Sequence, residues 1–172
     1  CAFASGTGKR VMLRMPTSTA ESVTMADFGD PSVYVSAERR DGGASRNSIL
    51  LYDVSSSATS LTAQLEWNLT SILPSTGSNA GAEAVTFVPD AFLVASGFYD
   101  ERTSAPYTPA TYGDHGGGLF FVGLEATGGI YAVALDHTTG TALRVATMAS
   151  GFAGIMGIEF DREVGYLWAS CD

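Results

Sequence analysis

Acidic side chains stand at matching places along this sequence. Glu21 and Glu83 each open a segment of the same pattern, Ala20-Glu21-Ser22-Val23-Thr24-Met25 and Ala82-Glu83-Ala84-Val85-Thr86-Phe87, with a looser third copy, Ile155-Met156-Gly157-Ile158-Glu159-Phe160. Glu38, Glu125 and Asp172 close a second matching segment in the runs 34–38, 121–125 and 168–172. Carboxylates gathered in one place repel, and each raises its neighbours' pKa unless a cation intervenes. A set of hard oxygen ligands suits Ca²⁺, which takes about six to eight of them. Glu21, Glu83, Glu38, Glu125 and Asp172 are therefore the candidate metal ligands. Acids also cap turns and bond backbone amides, and a repeat copies such residues automatically, so a structural role stays open for each.

Groups that could act beside them are few. Arg39 and Arg40 directly follow Glu38, and Arg102 lies in a long interruption of the pattern, so these three are candidates to meet an anionic substrate. The alternative is an ordinary surface ion pair, which contributes little. His115, next to Asp114 in a glycine-rich loop, is a candidate general acid or base, and Glu38 and Glu125 are candidates to orient water. His137 follows Asp136 at a turn and reads as a solvated turn residue.

Other chemistries are excluded. Gly6-Thr7-Gly8-Lys9-Arg10 lacks the first glycine of a phosphate loop and the Ser/Thr after lysine, and a strand follows it. No Gly-x-Ser-x-Gly elbow occurs. Cys1 and Cys171 permit one disulfide but form no framework, and no CxxC or His/Cys cluster suggests zinc. Lys and Arg number 9 against 18 Asp and Glu, for a net charge of −9, which repels nucleic-acid backbones and anionic membranes. No apolar run is long enough to span a bilayer.

The elements that must position these residues are strands. Short segments rich in β-branched and aromatic residues, bounded by Gly, Asp, Ser or Pro, recur along the chain, among them 10–15, 32–37, 49–54, 61–69, 83–88, 119–124 and 130–135. No stretch keeps a 3.6-residue period long enough for a helix. After each first and second matching segment comes a third, 48–54 and 129–135, and a fourth, 61–69 and 142–148. Four consecutive antiparallel strands repeated as a unit describe a propeller blade. The sequence thus predicts an all-β fold of antiparallel β-propeller blades in an incomplete ring, about two full blades plus partial ones. Residues 1–20 carry the outer strand of a preceding blade, 21–73 form a blade, 83–150 form a blade with an insertion over 90–118, and 155–172 start the next. Because propellers close with about four to eight blades, the remaining blades of the same protein are expected as partners. An ordinary β-sandwich with chance self-similarity is the alternative. In a propeller the first strand lines the central channel, so equivalent acids from successive blades converge on the axis.

Several of these segments, in order, resemble the phytase-like β-propeller family, described as having esterase-like activity of phytase. They are Tyr34 through Arg40 with Arg46 through Leu50, Asn79 through Val85, Gly116 through Glu125, and Phe160-Asp161 through Leu167 to Asp172. The resemblance covers most of the chain from about residue 20. It implies a secreted or periplasmic propeller whose recurrent acids, here Glu38, Glu83 and Glu125 with Asp172 by repeat register, serve phosphoester or ester hydrolysis with calcium. Met156, standing where a third acid would complete the set, departs from a symmetric ring of ligands. The expected function is calcium-assisted hydrolysis of a small phosphoester or ester; the alternative is a non-catalytic secreted propeller that binds protein or carbohydrate.

Overall fold

A computed structural model of the chain describes residues 12–14, 20–39, 43–55 and 57–171. Arg40, Asp172 and Cys1 lie outside the described residues. The chain is all-β, as the segment pattern requires. Its strands are β1 (Met12–Arg14), β2 (Ala20–Thr24), β3 (Ser32–Arg39), β4 (Ser45–Asp53), β5 (Ser60–Thr62), β6 (Leu65–Asn68) and β7 (Ala82–Pro89). After a short helix α1 (Asp90–Ala95) come β8 (Tyr99–Asp100), β9 (Ala105–Pro106), β10 (Gly118–Leu124), β11 (Gly129–Leu135), β12 (Ala142–Ala149), β13 (Gly157–Asp161) and β14 (Tyr166–Ser170).

Two antiparallel four-stranded sheets dominate. The first has the order β2-β3-β4-β6 and the second β7-β10-β11-β12, so each repeating unit folds into one meander. A third unit supplies the antiparallel hairpin β13–β14. The first strands of successive units, β2, β7 and β13, lie against one another, and each sheet lays a face on the next.

Strand alternation explains the layers, because successive side chains point to opposite faces. Tyr34, Ile49, Leu51 and Trp67 of the first sheet meet Val85, Phe87, Phe120, Val122 and Tyr131 of the second. Tyr34 and Phe120 pack at 4.5 Å between ring centroids, and Phe87 meets Phe120 edge-on at 5.1 Å. Each such fully buried side chain contributes roughly 1.5–3 kcal/mol. The other face of the second sheet, with Ala84, Phe121, Ile130 and Ala132, is covered by the insertion and by Ile158 and Phe160 of the hairpin.

Three details depart from the sequence expectations. Met12–Arg14, predicted as the outer strand of a preceding blade, pairs in parallel with β5. Leu13 thereby packs on Val35, Leu50, Tyr52 and Leu61, and the Tyr52 hydroxyl donates to the Arg14 carbonyl at 3.1 Å. The single strand expected over 61–69 is two, β5 and β6, interrupted at Ala63-Gln64 where the Gln64 amide donates to the Leu51 carbonyl. The insertion contains α1, whose six residues are too few for a helical period to register.

Candidate functional site

Glu21 and Glu83 owe their position to a defect that both sheets share. On the β2–β3 ladder Ala20 faces Ala37 and Ser22 faces Ser36, which leaves Glu21 without an opposite residue. On the β7–β10 ladder Ala82 faces Leu124 and Ala84 faces Gly123, which leaves Glu83 in the same situation. Each glutamate is the extra residue of a β-bulge, and a bulge re-aims the side chain it carries. Glu38 sits at a third irregularity, between the pairs Ala37–Ser48 and Arg39–Ser45. These three kinks bring one carboxylate oxygen each from Glu21, Glu38 and Glu83 within 4.8 Å of one another.

The link between the two sheets threads past this group. The Gly81 amide donates to Glu38 Oε2 at 3.0 Å, and the Ala82 amide donates to Asn47 Oδ1 at 3.0 Å. The Gly81 carbonyl accepts the amides of Glu83 and Glu125, placing Glu125 just past the end of β10. A β-carbon on Gly81 would collide with Asn47 Oδ1 and the Glu38 β-carbon, so only glycine fits there. Asn47 and Gly81 are parts of the site that the reading of acids and cations missed. Their one sequence signal is that both stand in segments that carry the family resemblance.

Electrostatics follow from the crowding. Burial raises the Glu38 pKa; the Gly81 amide opposes this, and the charges of Glu21 and Glu125 add to it while Arg39 counters them. Glu83 is pushed up to about 7, first by burial, then by the charges of Glu21, Glu38 and Glu125, with a hydrogen bond to Glu21 adding to the shift. Without a cation, Glu83 therefore keeps its proton up to near neutral pH. Arg39 reaches Glu38 Oε1 at 3.5 Å. The donor set is oxygen only and negatively charged, which fits a hard divalent cation.

His115 and Arg102 do not join these acids. His115 Nε2 lies 3.0 Å from Asp90 Oδ2, and Asp90 follows the end of β7 opposite to Glu83. Seven residues of extended chain separate the two acids, about 23 Å. Both His115 nitrogens face acceptors: Nδ1 donates to the Tyr112 carbonyl at 2.6 Å, while Asp90 waits at Nε2. The Tyr107 hydroxyl donates to Asp90 Oδ1 at 2.8 Å. Burial alone would lower the His115 pKa, but the Gly113 carbonyl and Asp90 outweigh it and raise it. The arrangement pins the insertion to the sheet. Arg102 lies at the second sheet's far edge, where the adjacent Glu101 amide donates to the Val145 carbonyl of β12.

His137 is half-buried and not the solvated turn residue expected. Its Nε2 lies 2.9 Å from the Tyr34 hydroxyl, and its ring meets Trp67 edge-on at 4.9 Å. It fills the junction between the two sheets. Among the described residues, no helix is long and apolar enough to cross a membrane. Compared with protein families, curated proteins and solved structures, the chain matches none.

Proposed function

We propose that these sheets are blades of a phytase-like β-propeller, acting outside the cytoplasm, and that Glu21, Glu38 and Glu83, flanked by Glu125, form a calcium site serving phosphoester hydrolysis. The observation that carries this reading is the convergence of three carboxylate oxygens within 4.8 Å, two of them delivered by the same bulge in successive units. The adjacency of β2, β7 and β13 supports the propeller, because first strands line its axis. The order of the phytase-like motifs supports the reaction class.

Glu21, Glu83 and Glu38 would hold the ion. Calcium bound there would supply charge to offset a phosphate and polarise its oxygen. Glu125, held by the Gly81 carbonyl at the edge of the group, is placed to orient water. Glu83, with its pKa pushed up to about 7 when no cation is present, would release its proton at neutral pH on binding the ion. Arg39 is the cation beside the acids that could meet phosphate; Arg102 and His115 are too remote to take part.

One observation favours the non-catalytic alternative. Buried Glu38 spends an oxygen on the Gly81 amide, the work of a tie between sheets. Calcium titration calorimetry and p-nitrophenyl phosphate turnover, with and without chelator, separate the readings in the wild type, Glu83→Gln and Glu125→Gln. Calcium binding that Glu83→Gln abolishes, with turnover lost on chelation and in Glu125→Gln, is the expected result. Calcium binding without turnover leaves the binding propeller; no calcium binding removes the site.

A further inference from the structure

The asparagines of this chain differ in how far their side chains are used. Asn47 is buried and engages both ends: Oδ1 takes the Ala82 amide at 3.0 Å, and Nδ2 donates to Thr76 Oγ1 at 3.4 Å. Asn68, the last residue of β6, is exposed. Its Oδ1 accepts the Thr70 amide at 3.0 Å, and its Nδ2 has no hydrogen-bond partner among the described residues. Asn68 and Thr70 stand in solvent while Trp67 and Leu69, alternating with them, are fully buried.

The Asn68 bond closes a turn in which a side-chain oxygen accepts the amide two residues on. The same turn recurs at Asp27, Asp30, Asp53, Asp100, Asp136 and Asp161, with Oδ1 at 2.8–2.9 Å from the amide nitrogen. Among the described residues, aspartate closes every such turn but the one at Asn68. Asp136 sharpens the contrast, because it too has a threonine two residues on, Thr138, yet its carboxylate carries no nitrogen. Turn closure therefore accounts for the Oδ1 bond and not for the choice of a carboxamide. Asn68-Leu69-Thr70 is also the one Asn-x-Ser/Thr triplet in the sequence, the acceptor pattern for N-linked glycans.

We infer that Asn68 is the acceptor for an N-linked glycan, transferred from a lipid-linked oligosaccharide diphosphate. Nδ2 bonds to the anomeric carbon of the sugar and gives up a proton. The bond from that carbon to the diphosphate breaks, and the lipid diphosphate leaves with the electron pair. With Oδ1 turned to the Thr70 amide, Nδ2 is the free end of the side chain. The turn spans two residues, so it needs no sheet in order to form. The fold also has room for the product, because β6 ends its sheet with β4 as its one strand neighbour among the described residues. Asn68, Ser48, Ala37 and Ala20 face one another in turn across that sheet, which puts Asn68 about 14 Å from the inner strand. A glycan at this rim would cover an edge that otherwise offers backbone groups to another strand. The inference rests on the location outside the cytoplasm proposed above.

Translation of the full chain behind a cleavable signal into microsomes tests this, read by intact mass with and without peptide N-glycosidase. Wild type and Thr70→Ser should carry a single glycan that the glycosidase removes, leaving aspartate at position 68. Asn68→Gln and Thr70→Ala should carry none. Both positions are exposed, so circular dichroism should show all these chains folded alike. A bare wild type in the lumen, or a glycan that survives Asn68→Gln, would overturn the proposal. Because import imposes the compartment, a bare chain there counts against Asn68 and leaves the location standing. A glycan there, with the natural chain isolated bare, keeps the acceptor and counts against the location.

Discussion

The same position behaves differently in the first unit and in the second. Val85 of β7 and Ile158 of β13 are 1% and 6% exposed, each facing the sheet before it; their counterpart Val23 of β2 is 62% exposed. The second strands show the mirror case. Tyr34 and Phe121 face the sheet after them and are buried, whereas Trp168, in the same register, is 59% exposed. Burial in this molecule is thus a property of the junction between units more than of the unit itself.

Substitutions at matched positions should separate junction from surface. The largest contrast sets Trp67→Ala, in the junction between the two sheets and bonded through its indole N–H to the Asp136 carbonyl, against Trp168→Ala. Denaturant unfolding should show a loss of about 3–5 kcal/mol for the first and within about 0.5 kcal/mol for the second. Similar losses would mean that the exposed face is already covered, and would break the contrast. Next comes Gly81→Ala, which forces a β-carbon onto Asn47 and Glu38 where the chain crosses between sheets; about 1–3 kcal/mol should be lost.

Glu83→Gln should do the opposite at alkaline pH. The folded pKa of Glu83, pushed up to about 7, lies above its ordinary 4.5. Its stabilising contribution is therefore complete below pH 4.5 and is lost as pH rises through 7. In chelator at pH 8, Glu83→Gln should unfold about 1–2 kcal/mol later than wild type, allowing for solvent screening, and calcium should restore the wild type alone. His115 adds a second loss in the same direction, because its raised pKa makes the pinned insertion weaker as pH climbs from 6.5. Limited proteolysis of the insertion should accelerate as pH rises above 6.5 in wild type and show no such pH dependence in His115→Gln; calcium should not alter it. The smallest effect belongs to Ser36→Ala. The Ser36 hydroxyl is buried without a partner among the described residues, so its removal should be neutral or stabilising by less than about 1 kcal/mol.

Much of this was legible from repetition. The likeness of Glu21-Ser22-Val23-Thr24 to Glu83-Ala84-Val85-Thr86 located the first strands and two of the three clustered acids. What repetition could not reveal was the mechanism of convergence, because a bulge is a mismatch between two strands and neither sequence records it alone. Nor could it place His115 and Arg102, since an insertion belongs to no copy and its landing place is set by tertiary contacts, here Asp90 and Val145. Asn47 and Gly81 act through an amide, a carbonyl and the lack of a side chain, features that a search for charged residues passes over.

The kink that carries each inner glutamate is copied along with the unit. Duplicating a unit would therefore add negative charge beside the clustered acids automatically, with no new mutation required, until mutual repulsion made further acids a burden. Met156 departs from that tendency: the third copy keeps the strand, pairs with β14 in unbroken register and carries no acid there, so a copy of the unit can be had without its charge.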